Sequence, residues 1–144
     1  MELEQVITKR HSVRKYQDKD VPDELINKII ELAGRAPSAG NLKSYKIFLT
    51  RQKIIDKIDA PMYLIICADP DKSGSRYGDR GKNLYSIQDA TILASYIQLL
   101  LVDNGLDSVW IGAFNEDKIR KKRGIDSQFK PVVVIAFGYA YDSS

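Results

Sequence analysis

The chain has 144 residues, 44% apolar and 28% charged, which predicts one folded domain over residues 1–144 and excludes a disordered chain. No apolar run approaches the ~20 residues that span a bilayer, and the acidic opening Met1–Gln5 lacks a secretion signal's basic-then-apolar layout, so a cytoplasmic protein with no membrane association is expected. One cysteine and one histidine exclude an internal disulfide and a Cys- or His-rich metal site, and a net charge of +3 suits a small anionic ligand as well as nucleic acid.

Taken in chain order, Leu3, Val6 and Ile7 stand at helical spacing and predict a short amphipathic helix over residues 2–9. Pro22, Asp23 and Glu24 open a second helix with the stripe Leu25, Ile26, Ile29, Ile30 and Ala33, ending near Gly34. Tyr45–Thr50 and Met62–Ala68 read as strands, with a short helical stretch around Ile54–Ile58 between them. Cys67 sits in the second strand's apolar run and is expected to be buried. Asp69–Gly81 holds three glycines among polar residues and reads as a loop; within it, Ser73–Gly78 lacks the lysine and glycine spacing of a P-loop.

The segment Leu84–Val102 carries Leu84, Ile87, Ala90, Ala94, Ile97 and Leu101 on one helical face. Ile92, Leu93, Tyr96, Leu99 and Leu100 cover much of the rest. A helix apolar on nearly every side needs cover on nearly every side, and a chain this small has little to wrap around it. The pattern therefore predicts a homodimer. Asn104-Gly105 ends this helix, and Asp107–Ile111 is the next strand. Asn115 caps a short helix with Glu116 and Asp117 in its first turn, Arg120–Arg123 in its last, and Gly124 as its stop. Val132–Phe137 is apolar throughout and is read as a central strand. Helices and strands mix without regular βαβ alternation, so the fold class is α+β. The cations from Lys118 to Arg123 complement a helix C-terminus and have no interleaved aromatics, so no nucleic-acid partner is expected.

Three segments carry candidate chemistry. In Arg10-His11-Ser12-Val13-Arg14, an extended chain puts Arg10, Ser12 and Arg14 on one side, and a helix puts the two arginines one turn apart. Either way two guanidinium groups meet, an arrangement suited to an anion; the alternatives are solvated surface arginines or pairs with Asp18 and Asp20. Ala36-Pro37-Ser38-Ala39-Gly40-Asn41 is a compact turn of small residues, able to lie against a flat ring or simply to connect helix to strand. Ser108–Phe114 ends a strand with Gly112 followed by Ala113, where the backbone can approach a ligand closely, while Trp110 reads as core.

In this order, the Arg10–Arg14 opening, the Ala36–Leu42 turn, the Gly105–Phe114 strand and the Val132–Tyr139 ending resemble the nitroreductase family of FMN-dependent enzymes over nearly the whole chain. The stretch Arg76–Gly81 followed by Leu84–Ala90 is similar to its smaller members. The resemblance implies an α+β homodimer with a mostly antiparallel central sheet flanked by helices and FMN at the subunit interface. It implies that Arg10, Ser12 and Arg14 hold the phosphate, ribityl chain and pyrimidine edge, with His11 in the same motif. It further implies that Pro37, Ser38, Ala39 and Asn41 approach the flavin from the other subunit, and that Gly112 and Ala113 lie near the reactive edge of the ring. NAD(P)H is the implied donor, and nitroaromatics, quinones or flavins are the implied acceptors, in ping-pong order. The flavin carries the chemistry, so no catalytic side chain and no metal is required.

Two departures from the family pattern bear on this. The chain between Thr50 and Pro61 is much shorter than usual, and the tail after Gly138-Tyr139 has no basic residue, the last one being Lys130. Both keep a second reading open: an FMN carrier of the same fold with little or no turnover.

Overall fold

In the computed structural model, which describes residues 1–141, four strands form one antiparallel sheet in the order β1–β2–β4–β3. These are β1 (Tyr45–Thr50), β2 (Met62–Ala68), β3 (Asp107–Ile111) and β4 (Lys130–Gly138). All three strand pairs are antiparallel. Among the described residues the parallel element is a lone bridge between Ser12 and Ser108. The helices are α1 (Leu3–Lys9), α2 (Asp23–Ala33), α3 (Pro70–Arg80), α4 (Ser86–Asp103) and α5 (Glu116–Arg123). The expected α+β architecture is present.

Strand residues alternate between faces, and β2 and β4 are apolar on both. Met62, Leu64, Ile66, Val133, Ile135 and Phe137 meet α2 and α4 on one side. Tyr63, Ile65, Cys67, Val134 and Ala136 meet Ile54, Ile119 and Ile125 on the other. Each fully buried side chain of this size contributes roughly 1.5–3 kcal/mol. The sheet's middle is thus the stable part, and its two edges and corners are free to carry function.

Three expectations are corrected. Residues 54–58 form turns rather than a helix, because a connection this short must turn Ile54, Ile55 and Ile58 onto the sheet. The Tyr63 hydroxyl donating to the Ile58 carbonyl and a Lys53–Asp59 ion pair at 2.7 Å hold it in place of a helical hydrogen-bond ladder. Residues 69–81 are largely helical, not a loop. Asp69 Oδ1 accepts from the Lys72 N–H at 3.3 Å, Pro70 occupies the first turn, and the helix kinks only at Gly78, where φ is 60°. The other glycines serve packing: a Cβ on Gly81 would stand 2.6 Å from the Ser73 carbonyl oxygen. A short π-helical segment, Gly81–Tyr85, then leads into α4.

The third correction is Trp110 of β3, read as core but 37% exposed. In α4 the chain itself covers only part of the apolar surface, taking Leu93 into the core with Ala90, Ala94, Ile97 and Leu101. Ile92, Leu99 and Leu100 stay half-buried, and Tyr96 is 41% exposed. Beside it α1 buries Val6 but leaves Leu3 and Ile7 more than half exposed.

Candidate functional site

The Arg10–Arg14 segment leaves α1 in extended conformation, with φ −60° and ψ 125° at Arg10. It then lies along the free edge of β3: Ser12 bridges Ser108, and the Val13 N–H donates to the Ser108 carbonyl at 3.0 Å. Further on it is zipped to the end of the described chain. The Gln17 N–H donates to the Tyr139 carbonyl at 2.8 Å, and the Tyr141 N–H to the Lys15 carbonyl at 3.0 Å. The Tyr16 hydroxyl reaches the carbonyls of Val13 and Ala136, and burial pushes its phenol well above the usual range, so it stays a neutral donor. From behind, Gln98 of α4 donates to the Ser108 hydroxyl at 3.1 Å in a buried pair.

Extended backbone settles the alternative left open by the sequence: Arg10, Ser12 and Arg14 share one side. Ser12 and Arg14 are exposed and Arg10 is partly so. Among the described residues neither arginine forms an ion pair, and Asp20 is engaged by Arg51 at 2.9 Å. His11 is exposed, and its Nδ1 donates to the Lys9 carbonyl at 3.1 Å.

Gly112 and Ala113 follow the end of β3 and are exposed. A Cβ on Gly112 would meet nothing nearer than Trp110 Nε1 at 4.0 Å, so packing within the chain does not require glycine there. None of the N–H groups of Gly112, Ala113 and Phe114 donates to a backbone carbonyl among the described residues. Trp110, read as core, is 37% exposed.

The turn after α2 has the opposite character. Gly40, Asn41 and Lys43 all have left-handed φ, at 60°, 57° and 53°. Such a backbone persists only where its surroundings over-determine it, and here they do. The buried carboxylate of Asp89, at the start of α4, accepts from the Ala39 N–H at 3.2 Å and from the Ser44 N–H at 3.3 Å. Ser38 Oγ accepts from the Lys43 N–H at 3.0 Å. A Cβ on Gly40 would meet the Tyr77 hydroxyl and Arg76 Nη1 of α3, side-chain ends that can shift, so it is the left-handed φ that favours glycine here. Pro37 and Asn41 are exposed; Ser38 and Ala39 are half-buried.

Sequence reasoning missed Asp89 and Gln98. The readable signal was polarity on the buried stripe of an apolar helix, since both lie among Ala90, Leu93, Ala94, Ile97 and Leu101. Local patterns do not show that the two corners stay apart; only the resemblance, which assigns the turn to the other subunit, implies it. The turn runs into β1 at one edge of the sheet, and Ser12 lies along the outer side of β3 at the other, four strand spacings or ~19 Å away. They sit at opposite ends as well: Tyr45 pairs with Ala68, whereas Ser108 pairs with Phe137, which pairs with Met62. Along α4, Asp89 and Gln98 are nine residues apart, another ~14 Å. One chain therefore keeps the two candidate segments apart.

Burial pushes the Cys67 thiol up to about 12, which removes it as a nucleophile near neutral pH. Among the described residues no group of His, Cys, Asp and Glu is placed to hold a metal ion, and no helix is long and apolar enough to cross a membrane.

The fold and these corners define a class: an α+β domain that presents, at one sheet edge, arginines without an ion pair and backbone N–H groups without a backbone partner, with no metal-holding cluster, among the described residues. Residues 7–60 and 56–139 match the nitroreductase family, and the chain belongs to that family of oxidoreductases. The two matched stretches meet inside the β1–β2 connection, where the sequence is short. The chain is 33% identical over 155 residues to a Methanothermobacter thermautotrophicus protein named as an NADH dehydrogenase/NAD(P)H nitroreductase, covering 96% of this chain and 78% of that one. A nitroreductase family protein from Clostridium difficile 630 superposes with a TM-score of 0.86 at 30% identity, covering 99% of this chain and 86% of that one. An FMN-dependent nitroreductase from Clostridium difficile R20291 superposes with a TM-score of 0.80 at 29% identity, covering 96% and 88%.

Proposed function

We propose that the protein is an FMN-dependent oxidoreductase that takes electrons from NAD(P)H and passes them to nitroaromatic, quinone or flavin-like acceptors. In this reading it is a cytoplasmic homodimer with two sites, each built from the Arg10–Arg14 and Gly112–Ala113 corner of one protomer and the Pro37–Asn41 turn of the other. The observation that carries it is the separation of the two half-sites within one chain. A second copy brings unlike halves together and covers Tyr96, Leu3 and Ile7 at the same time. The names of two relatives, FMN-dependent in one and NAD(P)H-linked in another, support the cofactor and the donor.

The residues fit the group. Arg10, which forms no ion pair among the described residues, would hold the phosphate, and arginine's planar fork suits phosphate oxygens. Ser12 meets the ribityl hydroxyls, with His11 flanking it, and Arg14 the pyrimidine edge, where a cation offsets the negative charge that gathers on electron uptake. Pro37, Ser38 and Ala39 form a wall with little bulk, and Asn41 adds a polar contact. The Gly112 and Ala113 N–H groups face the polar rim of the ring. When bound, FMN supplies hydride acceptance and release, so these side chains bind and orient and need not react. Donor and acceptor use one open face in turn, which gives ping-pong kinetics.

Anaerobic stopped-flow reduction of the bound flavin by NADH and NADPH tests the reading, with light scattering for the dimer. Rapid bleaching and parallel double-reciprocal plots are expected. If neither nicotinamide bleaches the flavin, the carrier reading replaces it; the tail without a cation after Lys130 favours that alternative.

A further inference from the structure

The β1–β2 connection and the start of α5 face each other across a cleft that the proposed flavin contacts leave unused beyond Ala113. Its floor is apolar: Ile54 and Ile119 are buried, Ile55 and Phe114 half-buried. Its rim carries Lys57, Lys118 and Lys122 against a single carboxylate, Asp56. Asp56 lies 3.7 Å from Lys122, and among the described residues Lys57 and Lys118 have no anionic partner. The cleft's other end is lined by Ala113 itself, so it is continuous with the candidate site.

A ligand that uses all of this has a flat body for the apolar floor, a multiply charged anion for the two free lysines, and a reach that extends to Ala113. The adenosine end of a nicotinamide dinucleotide has that chemistry, because its reactive end must lie at the flavin edge. A 2′-phosphate adds about two negative charges at neutral pH, which two lysines match. Resting on the function proposed above, we propose that this cleft binds the adenosine end of NADPH, with Lys57 and Lys118 holding the 2′-phosphate, and that it sets a preference for NADPH over NADH. The short connection makes this possible, since it brings Lys57 to the rim of the same cleft as Lys118.

The experiment has two arms. In the first, flavin-free and FMN-loaded protein are titrated calorimetrically with 2′,5′-ADP and with 5′-AMP, for the parent, Lys57→Ala and Lys118→Ala. The parent should bind 2′,5′-ADP roughly tenfold or more tightly than 5′-AMP, and each variant should lose about fivefold to tenfold of that affinity. In the second, the ratio of kcat/KM for NADPH over NADH should fall by about tenfold in each variant. Parent and variants binding 2′,5′-ADP within about twofold of each other would overturn the proposal. So would variants that weaken FMN but not riboflavin, for the cleft would then hold the flavin's own phosphate. Failure to bind FMN sinks the proposed function instead, and the flavin-free titration still reads the cleft.

Discussion

The two half-sites are opposites in how they spend their hydrogen-bonding capacity. In the Ser38–Ser44 turn the backbone N–H groups are largely used within the chain: Asp89 takes two and Ser38 a third, and Tyr77 and Arg76 press on Gly40. At the β3 corner the backbone of residues 12–17 is just as firmly held, yet the groups facing outward are idle. Arg10 and Arg14 make no ion pair, and three successive N–H groups from Gly112 have no backbone partner among the described residues. On the proposed function, the idle donors of the β3 corner would grip the ligand, and the internally bonded turn would be a surface held in shape against it.

The sharpest way to break this contrast is at Asp89. Removing its carboxylate strands two N–H groups beside three left-handed residues, so Asp89→Ala should cost about 3 kcal/mol in urea unfolding. Asp89→Asn keeps one acceptor oxygen and should cost roughly half as much. A cost near zero for both would mean that the turn holds itself.

Arg10→Ala should do the reverse: it should leave stability nearly untouched and weaken FMN binding by roughly one to two orders of magnitude, with riboflavin much less affected. Fluorescence quenching measures both. Mixing the subunits sharpens the test. Arg10→Ala damages one half-site and Pro37→Glu the other, so a heterodimer of the two variants regains one intact site, and a site confined to one chain regains none.

A smaller effect concerns the sheet's interior rather than either corner. Cys67 titrates normally near 9 and is pushed up to about 12 by burial, so its thiol is protonated in both folded and unfolded chains below pH 9. Above that the unfolded chain ionises first, and stability should fall as pH rises from 9 towards 12; burial shifts Tyr16 in the same direction. Urea midpoints from pH 8 to 11 should show the decline, and Cys67→Ala should make it shallower.

The smallest expected effect is a stability change that hardly exists. Gly112→Ala adds a Cβ into open space, so unfolding should shift by no more than about 0.5 kcal/mol while flavin affinity falls measurably. Equal losses in both would show that Gly112 serves the fold.

The sequence by itself determined the elements whose signal is local. Strands β1, β2 and β3 fall where apolar runs and turn residues put them, and α5 runs from its Asn115 cap to the left-handed Gly124. It also singled out Arg10–Arg14 and the 36–41 turn as chemical types, because residue identity alone limits what a segment can bind. Only the tertiary structure decided how the pieces stand to one another. Gly74 and Gly81 looked like helix breakers until the chain folded back on itself and made them packing glycines of α3. Asp89 and Gln98, which the apolar pattern of the helix passed over, each meet a partner from a distant segment. The strand order puts the turn and the arginines at opposite corners, and no local pattern encodes strand order. Periodicity reports which face of an element is apolar over a few residues; which faces meet depends on contacts between residues far apart in sequence, summed over the whole core.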